Sequence, residues 1–169
     1  VVFSWLLIFL SISLFSCYDS IKGTPNNWIF WSIYTGIMIY IIGYISVFTS
    51  TEVLLLSGVL TLGIFSGLTI YSIQTKVDYT RKGDILLILL LGLFLLGILS
   101  IFLPLIRYVY SLIGAVIFSF YIIYDTQLII KGGNNRNRYD IDDYMIVSLN
   151  LYSDIVNLFL YLIQIVNGR

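Results

Sequence analysis

Long apolar runs separated by short polar connections make up most of the chain. Six runs stand out, approximately Val1–Cys17, Trp28–Phe48, Val53–Gln74, Ile85–Leu103, Tyr108–Ile130 and Tyr144–Val166. Each is close to the roughly 20 residues that a helix needs to cross a bilayer core. The ten-residue alternation of a transmembrane β-strand is absent. Only Lys76–Asp84 and Lys131–Asp143 read as loops, so consecutive helices are expected to lie antiparallel. The pattern predicts an all-α, polytopic membrane helical bundle that forms one transmembrane domain over residues 1–169.

Polar positions inside the spans carry the next layer of information. In the last span Asn150, Asp154, Asn157 and Tyr161 are spaced four, three and four apart, which places them on one helical face. A polar stripe facing lipid would lack partners, so this helix is expected at the centre of the bundle. The fifth span has one acid, Asp125. A carboxylate at the bilayer centre costs at least about 2.5–3.5 kcal/mol, so two such groups on neighbouring spans either pair or serve a function. Counted from the side of the Lys131–Asp143 loop, Asp125 lies about 8 Å and Asp154 about 15 Å deep. With tilt and side-chain reach, the two can meet.

Glycine and proline punctuate the spans. Pro25 and Asn26 are expected to start the second span, and Pro104 to close the fourth. Gly63 and Gly67 form a small-xxx-small pair suited to close helix approach. Gly132 and Gly133 end the fifth span. Trp28, Trp31, Tyr108 and Tyr110 fall at span ends and fit interfacial anchoring. The fourth span, rich in leucine, is expected to face lipid over much of its surface.

Composition agrees with a membrane protein: 59% of residues are hydrophobic and 11% charged. The formal net charge is zero, so no nucleic-acid face is implied. The chain has no histidine, which excludes Ser-His-Asp and Cys-His catalysis and His-based metal sites. The single cysteine, Cys17, cannot form an internal disulfide and reads as a small apolar filler. Lys22, Lys76, Arg81, Lys82, Lys131, Arg136 and Arg138 lie on one side of the membrane, against Arg107 and Arg169 on the other. The first side is therefore assigned to the cytosol or its topological equivalent.

Two carboxyls sharing one buried pocket titrate as a unit, with a proton release expected near neutral pH. With a proton between them they hold the two helices together. Without it they repel and present oxygens to a cation. Calcium suits such a site because it takes about 6–8 oxygen ligands. Asp125, Asp154, Asn150 and Asn157 supply some of these, enough for transient passage and not for a tight store. The competing reading of Asp125 is a local cap or an ion pair with Lys131.

Three strings carry a family resemblance: LTIYSIQTKVDYT at Leu68–Thr80, FSFYIIYDTQLIIKGG at Phe118–Gly133, and SLNLYSDIVNLFLYLIQIV at Ser148–Val166. In content, order and spacing they resemble the Bax inhibitor (transmembrane Bax-inhibitor-motif) family. The resemblance implies a seven-helix bundle with the last helix central. The six spans here then correspond to its second to seventh, with the N-terminal first span lacking. It implies a pH-sensitive calcium leak channel or calcium/proton exchanger, with Asp125 and Asp154 as the sensor pair and no cofactor beyond the transported calcium. It further implies links to cell-death suppression and an internal membrane: endoplasmic reticulum, Golgi or mitochondrial inner membrane. The family's plasma-membrane members are bacterial. Where some members have a latching arginine, this chain has Asp19 and Lys22, which makes Lys22 the candidate latch. The acidic loop Asp140, Asp142 and Asp143 departs from the family's Ser-Pro-Glu-Glu beginning.

The competing class is a structural accessory subunit of a larger membrane complex that keeps the fold without transport. An intramembrane aspartyl protease is disfavoured, because Asp154 sits in YSDI and not in GxGD. The chain is therefore not expected to be an enzyme.

Overall fold

The computed structural model describes residues 26–131 and 144–168. The described residues form five long helices: α1 (Asn26–Val47), α2 (Thr51–Gln74), α3 (Gly83–Phe102), α4 (Pro104–Lys131) and α5 (Tyr144–Asn167). A 3₁₀ turn at Thr80–Lys82 leads into α3. The described residues contain no strand. The expected span Val1–Cys17, Cys17 itself and the candidate latch Lys22 lie outside the described residues.

Four helical stretches are long and apolar enough to cross a membrane: Thr51–Gln74, Thr80–Phe102, Ile106–Ile130 and Val147–Asn167. The apolar part of α1, Trp31–Val47, is shorter. The chain is thus an integral membrane protein, with four such spans among the described residues against the five expected over the same region.

The connections follow from local chemistry. The α1–α2 turn closes with Phe48 N–H donating to Ile45 O and Thr49 N–H to Ser46 O, and Ser50 caps α2. Between α3 and α4 only Leu103 is non-helical. α3 ends at Phe102 with Leu103 extended before the proline, so Pro104 closes the span as expected, and it is also the first residue of α4. A proline there lacks only an N–H that the first turn of a helix leaves unbonded anyway.

Two apolar clusters organise the packing, and α5 contributes to both. Tyr34, Met38 and Ile41 of α1 pack against Leu149, Val156, Leu160 and Ile163 of α5. On the other flank Leu90 and Leu93 of α3 and Tyr110, Ile117, Phe118 and Ile122 of α4 enclose Leu158, Tyr161 and Leu162 of α5. The buried share of the apolar stretches is 11% in α2, 28% in α3, 39% in α4 and 56% in α5. The last helix is therefore the central one, as its polar stripe implied. Helix α3 shows leucines and isoleucines to lipid on one side and buries Leu86, Leu90 and Leu93 on the other.

Two expectations about small and aromatic residues fail. A Cβ on Gly63 or Gly67 would meet nothing within 4 Å, so this pair faces outward and mediates no close approach within the described bundle. The close approach is at Gly114, where a Cβ would come within 2.5 Å of the Tyr161 ring. Trp28, Trp31 and Tyr108 are exposed, consistent with anchoring, but Tyr110 is fully buried. Its hydroxyl is satisfied by that of Tyr161 at 2.9 Å, which lets both rings enter the core.

Candidate functional site

The two acids lie on the two most buried helices. Asp125 is 7% exposed on α4 and Asp154 is 6% exposed on α5. Their carboxyls are close enough to influence each other directly. An ionised carboxylate can only accept, so a carboxyl–carboxyl hydrogen bond requires a proton on one partner. A bond between these two carboxyls would therefore need one proton between α4 and α5. Loss of that proton would leave two like charges in a water-poor pocket, where Coulomb repulsion is weakly screened. Tyr121, one turn before Asp125, lies in electrostatic range of both acids.

The pairing leaves oxygen atoms over. Asp154 Oδ2 and Asn157 Oδ1 are buried and have no hydrogen-bond partner among the described residues. They are three residues apart, on one face of α5. An unsatisfied buried acceptor costs about 1–3 kcal/mol, a cost that Ser57, Thr69 and Thr126 also carry elsewhere among the described residues.

The rest of the expected stripe divides. Asn157 is fully buried and donates to Ser153 O at 2.9 Å and to Ser153 Oγ at 3.4 Å. Tyr34 of α1 donates to the same Ser153 Oγ at 2.7 Å, which ties α1 to the turn that carries Asp154. Asn150 is half-buried near the start of α5. Tyr161 does not belong to the acid site. Its ring packs between Tyr110 and Phe118, and its hydroxyl bonds Tyr110. The expected stripe thus covers two environments, a polar one around Asp154 and an aromatic one around Tyr161.

Residues the sequence reading did not single out complete the surroundings. Gln127, two residues after Asp125, is fully buried. Its Oε1 accepts from Tyr79 N–H at 2.8 Å, and its Nε2 donates to Val77 O at 2.9 Å and to Ser72 O at 3.4 Å. One side chain thereby fastens the α2–α3 connection to α4 beside the acids. Ser72 Oγ donates to Ile123 O at 3.0 Å and reinforces the same junction. A buried amide inside an apolar span was the available signal for Gln127. Ser153 and Tyr34 carried no comparable one. Among the described residues no group of three or more His, Cys, Asp or Glu gathers. Any cation here would rely on the two carboxyls with amide, hydroxyl or backbone oxygens.

This geometry defines a class: a polytopic helical membrane protein with one buried carboxyl on each of its two most buried helices. The family model described as "Inhibitor of apoptosis-promoting Bax1" matches residues 1–169, and the chain belongs to the Bax inhibitor family. It is similar to Protein lifeguard 3 of Mus musculus, at 28% identity over 94% of this chain and 52% of the relative. Similarity to Protein LIFEGUARD 4 of Arabidopsis thaliana is 31% over 95% of this chain and 66% of the relative. Protein lifeguard 3 of Homo sapiens is 29% identical over 90% of this chain and 50% of the relative. The chain therefore spans between half and two thirds of the length of these relatives.

Proposed function

We propose that the chain is a pH-sensitive path for calcium, a leak channel or a calcium/proton exchanger, in which the Asp125–Asp154 pair is the gate. The reading is one of transport and not of enzymatic catalysis. The observation that carries it is the burial of two neighbouring carboxyls on separate helices. A proton shared between them closes α4 onto α5. Its departure creates two carboxylates that repel each other and attract a divalent cation. The unpartnered Asp154 Oδ2 and Asn157 Oδ1 are further oxygens at the same place. Lys22 stays the proposed latch. Membership of a family whose model is described as an inhibitor of apoptosis-promoting Bax1 supports a role in restraining cell death from an internal membrane.

The test is calcium flux into liposomes that contain the purified chain, between about pH 6 and pH 8. The proposal expects flux that rises as the pair loses its proton and that depends on both aspartates. Liposomes as tight as empty ones would instead favour the accessory-subunit reading.

A further inference from the structure

Helices α4 and α5 are held differently at their two ends. Toward Pro104 and Asn167 they are fastened to each other. Tyr110 and Tyr161 share a hydroxyl hydrogen bond at 2.9 Å, with their rings edge to face. Ser111 Oγ, bonded to Arg107 O at 2.9 Å, also reaches Gln164 Oε1 at 3.2 Å. Gly114 lies so close to the Tyr161 ring that a Cβ would come within 2.5 Å of it, and a Cβ on Gly168 would stand 3.4 Å from the Tyr108 ring. All of these contacts fall within about 15 Å of that end.

Toward Lys131 and Tyr144, the turns that carry the acids are fastened to different neighbours. On α4, Ile123 O accepts from Ser72 Oγ of α2 at 3.0 Å, and Gln127 bonds Ser72 O, Val77 O and Tyr79 N–H. On α5, Ser153 Oγ accepts from Tyr34 of α1 at 2.7 Å. Asp125 lies between the two attachment points on α4, and Asp154 directly follows Ser153. Helix α2 follows the same division. Val53 and Leu54 in its first turn pack on the α1–α5 cluster, and Ser72 in its last turn bonds α4. In between, Ile64, Phe65 and Leu68 pack on the cluster that α3, α4 and α5 share. Ile117, Ile122 and Leu158 of that cluster are apolar, and apolar contact has no preferred direction.

We infer that α4 and α5 pivot about the Gly114–Tyr161 contact, so that their acid-bearing ends part while their Pro104 and Asn167 ends stay joined. Helix α4 carries the α2–α3 connection with it, and α5 carries α1. The inference rests on the gating reading above and supplies its motion. Repulsion between the acids acts about 10–16 Å along the helices from the pivot, which gives it leverage. The directional bonds around each acid survive the opening, because they tie its turn to a neighbour on its own side. A hinge of this kind confines the change to a few contacts and leaves the packed bodies intact.

Reducible crosslinks test the pivot in a Cys17→Ala background. Ile130→Cys with Val147→Cys bridges the parting ends, and Tyr108→Cys with Asn167→Cys bridges the joined ends. Ile130, Tyr108 and Asn167 are exposed and Val147 is half-buried. Calcium flux into liposomes is recorded before and after a flexible bis-methanethiosulfonate joins each pair, and again after reduction. The crosslink at the acid-bearing ends should abolish flux, with recovery on reduction, whereas the one-ended form of the reagent should leave flux unchanged. The crosslink at the joined ends should also leave it unchanged. Should the Ile130→Cys variant fail to fold, Ile129→Cys takes its place. Equal effects of the two crosslinks in liposomes that do carry flux overturn the pivot alone. Absence of flux in the unsubstituted chain overturns the gating reading, and the pivot with it.

Discussion

Asp125 on α4 and Asp154 on α5 are buried neighbours inside an apolar bundle. The two residues are on the helices that share the most extensive packing among the described residues. Any change in the charge of the pair is therefore felt directly at that helix interface.

Asp154→Asn separates charge from structure. An amide can still donate to Asp125, so helical content and elution volume should match the unsubstituted chain. On the proposed transport reading one titratable carboxyl of the pair is gone, so calcium flux should no longer vary between about pH 6 and pH 8. A variant that still shows rising flux with rising pH removes the pair from the gating step. A variant that unfolds assigns Asp154 a structural role.

Gly114→Ala should destabilise the bundle. The added methyl meets a Tyr161 ring already fixed between Tyr110 and Phe118, so the ring has little room to yield. The expected loss is about 1–3 kcal/mol in a reversible unfolding assay in detergent. Gly63→Ala and Gly67→Ala meet open space and should be neutral or stabilising by up to about 1 kcal/mol. Equal costs at all three positions would contradict the packing described.

Gln127→Leu keeps the volume and removes two hydrogen bonds to the α2–α3 connection and one to Ser72 O in α2. Amide exchange at Tyr79, whose N–H donates to Gln127, should quicken, with a stability loss of about 1–3 kcal/mol. Unchanged protection at Tyr79 would show that the connection is held by other contacts.

Tyr34→Phe and Ser153→Ala probe the tie between α1 and α5. Each single change should cost about 0.5–1.5 kcal/mol, and the pair less than their sum. Strict additivity would mean that the 2.7 Å contact contributes nothing to holding α1 in place.

Much of the candidate site was legible because apolar spans make polar residues conspicuous. Asp125 and Asp154 stand out for the cost of placing a carboxylate in hydrocarbon, and the four-three-four spacing puts Asp154 and Asn157 on one face. The same spacing misassigned Tyr161, because a tyrosine ring can serve an aromatic cluster while its hydroxyl finds a second tyrosine. Tyr110 misled in the same way: a position near a span end suits interfacial anchoring, but its neighbours across α4 and α5 decided otherwise. Gly63 and Gly67 have the spacing for close approach, yet only the rotation of α2 shows that they point outward.

The amino-acid order by itself determined an all-helical integral membrane protein, a central last helix and two acids that needed partners. These follow from hydropathy and helical periodicity, which act along one chain segment at a time. Tertiary structure alone decided that Asp125 and Asp154 touch, that Gly114 is the point of closest approach, and that the hydroxyls of α2 turn inward. Those outcomes depend on the rotation and axial offset of one helix against another. Residue spacing within a single helix carries no record of either.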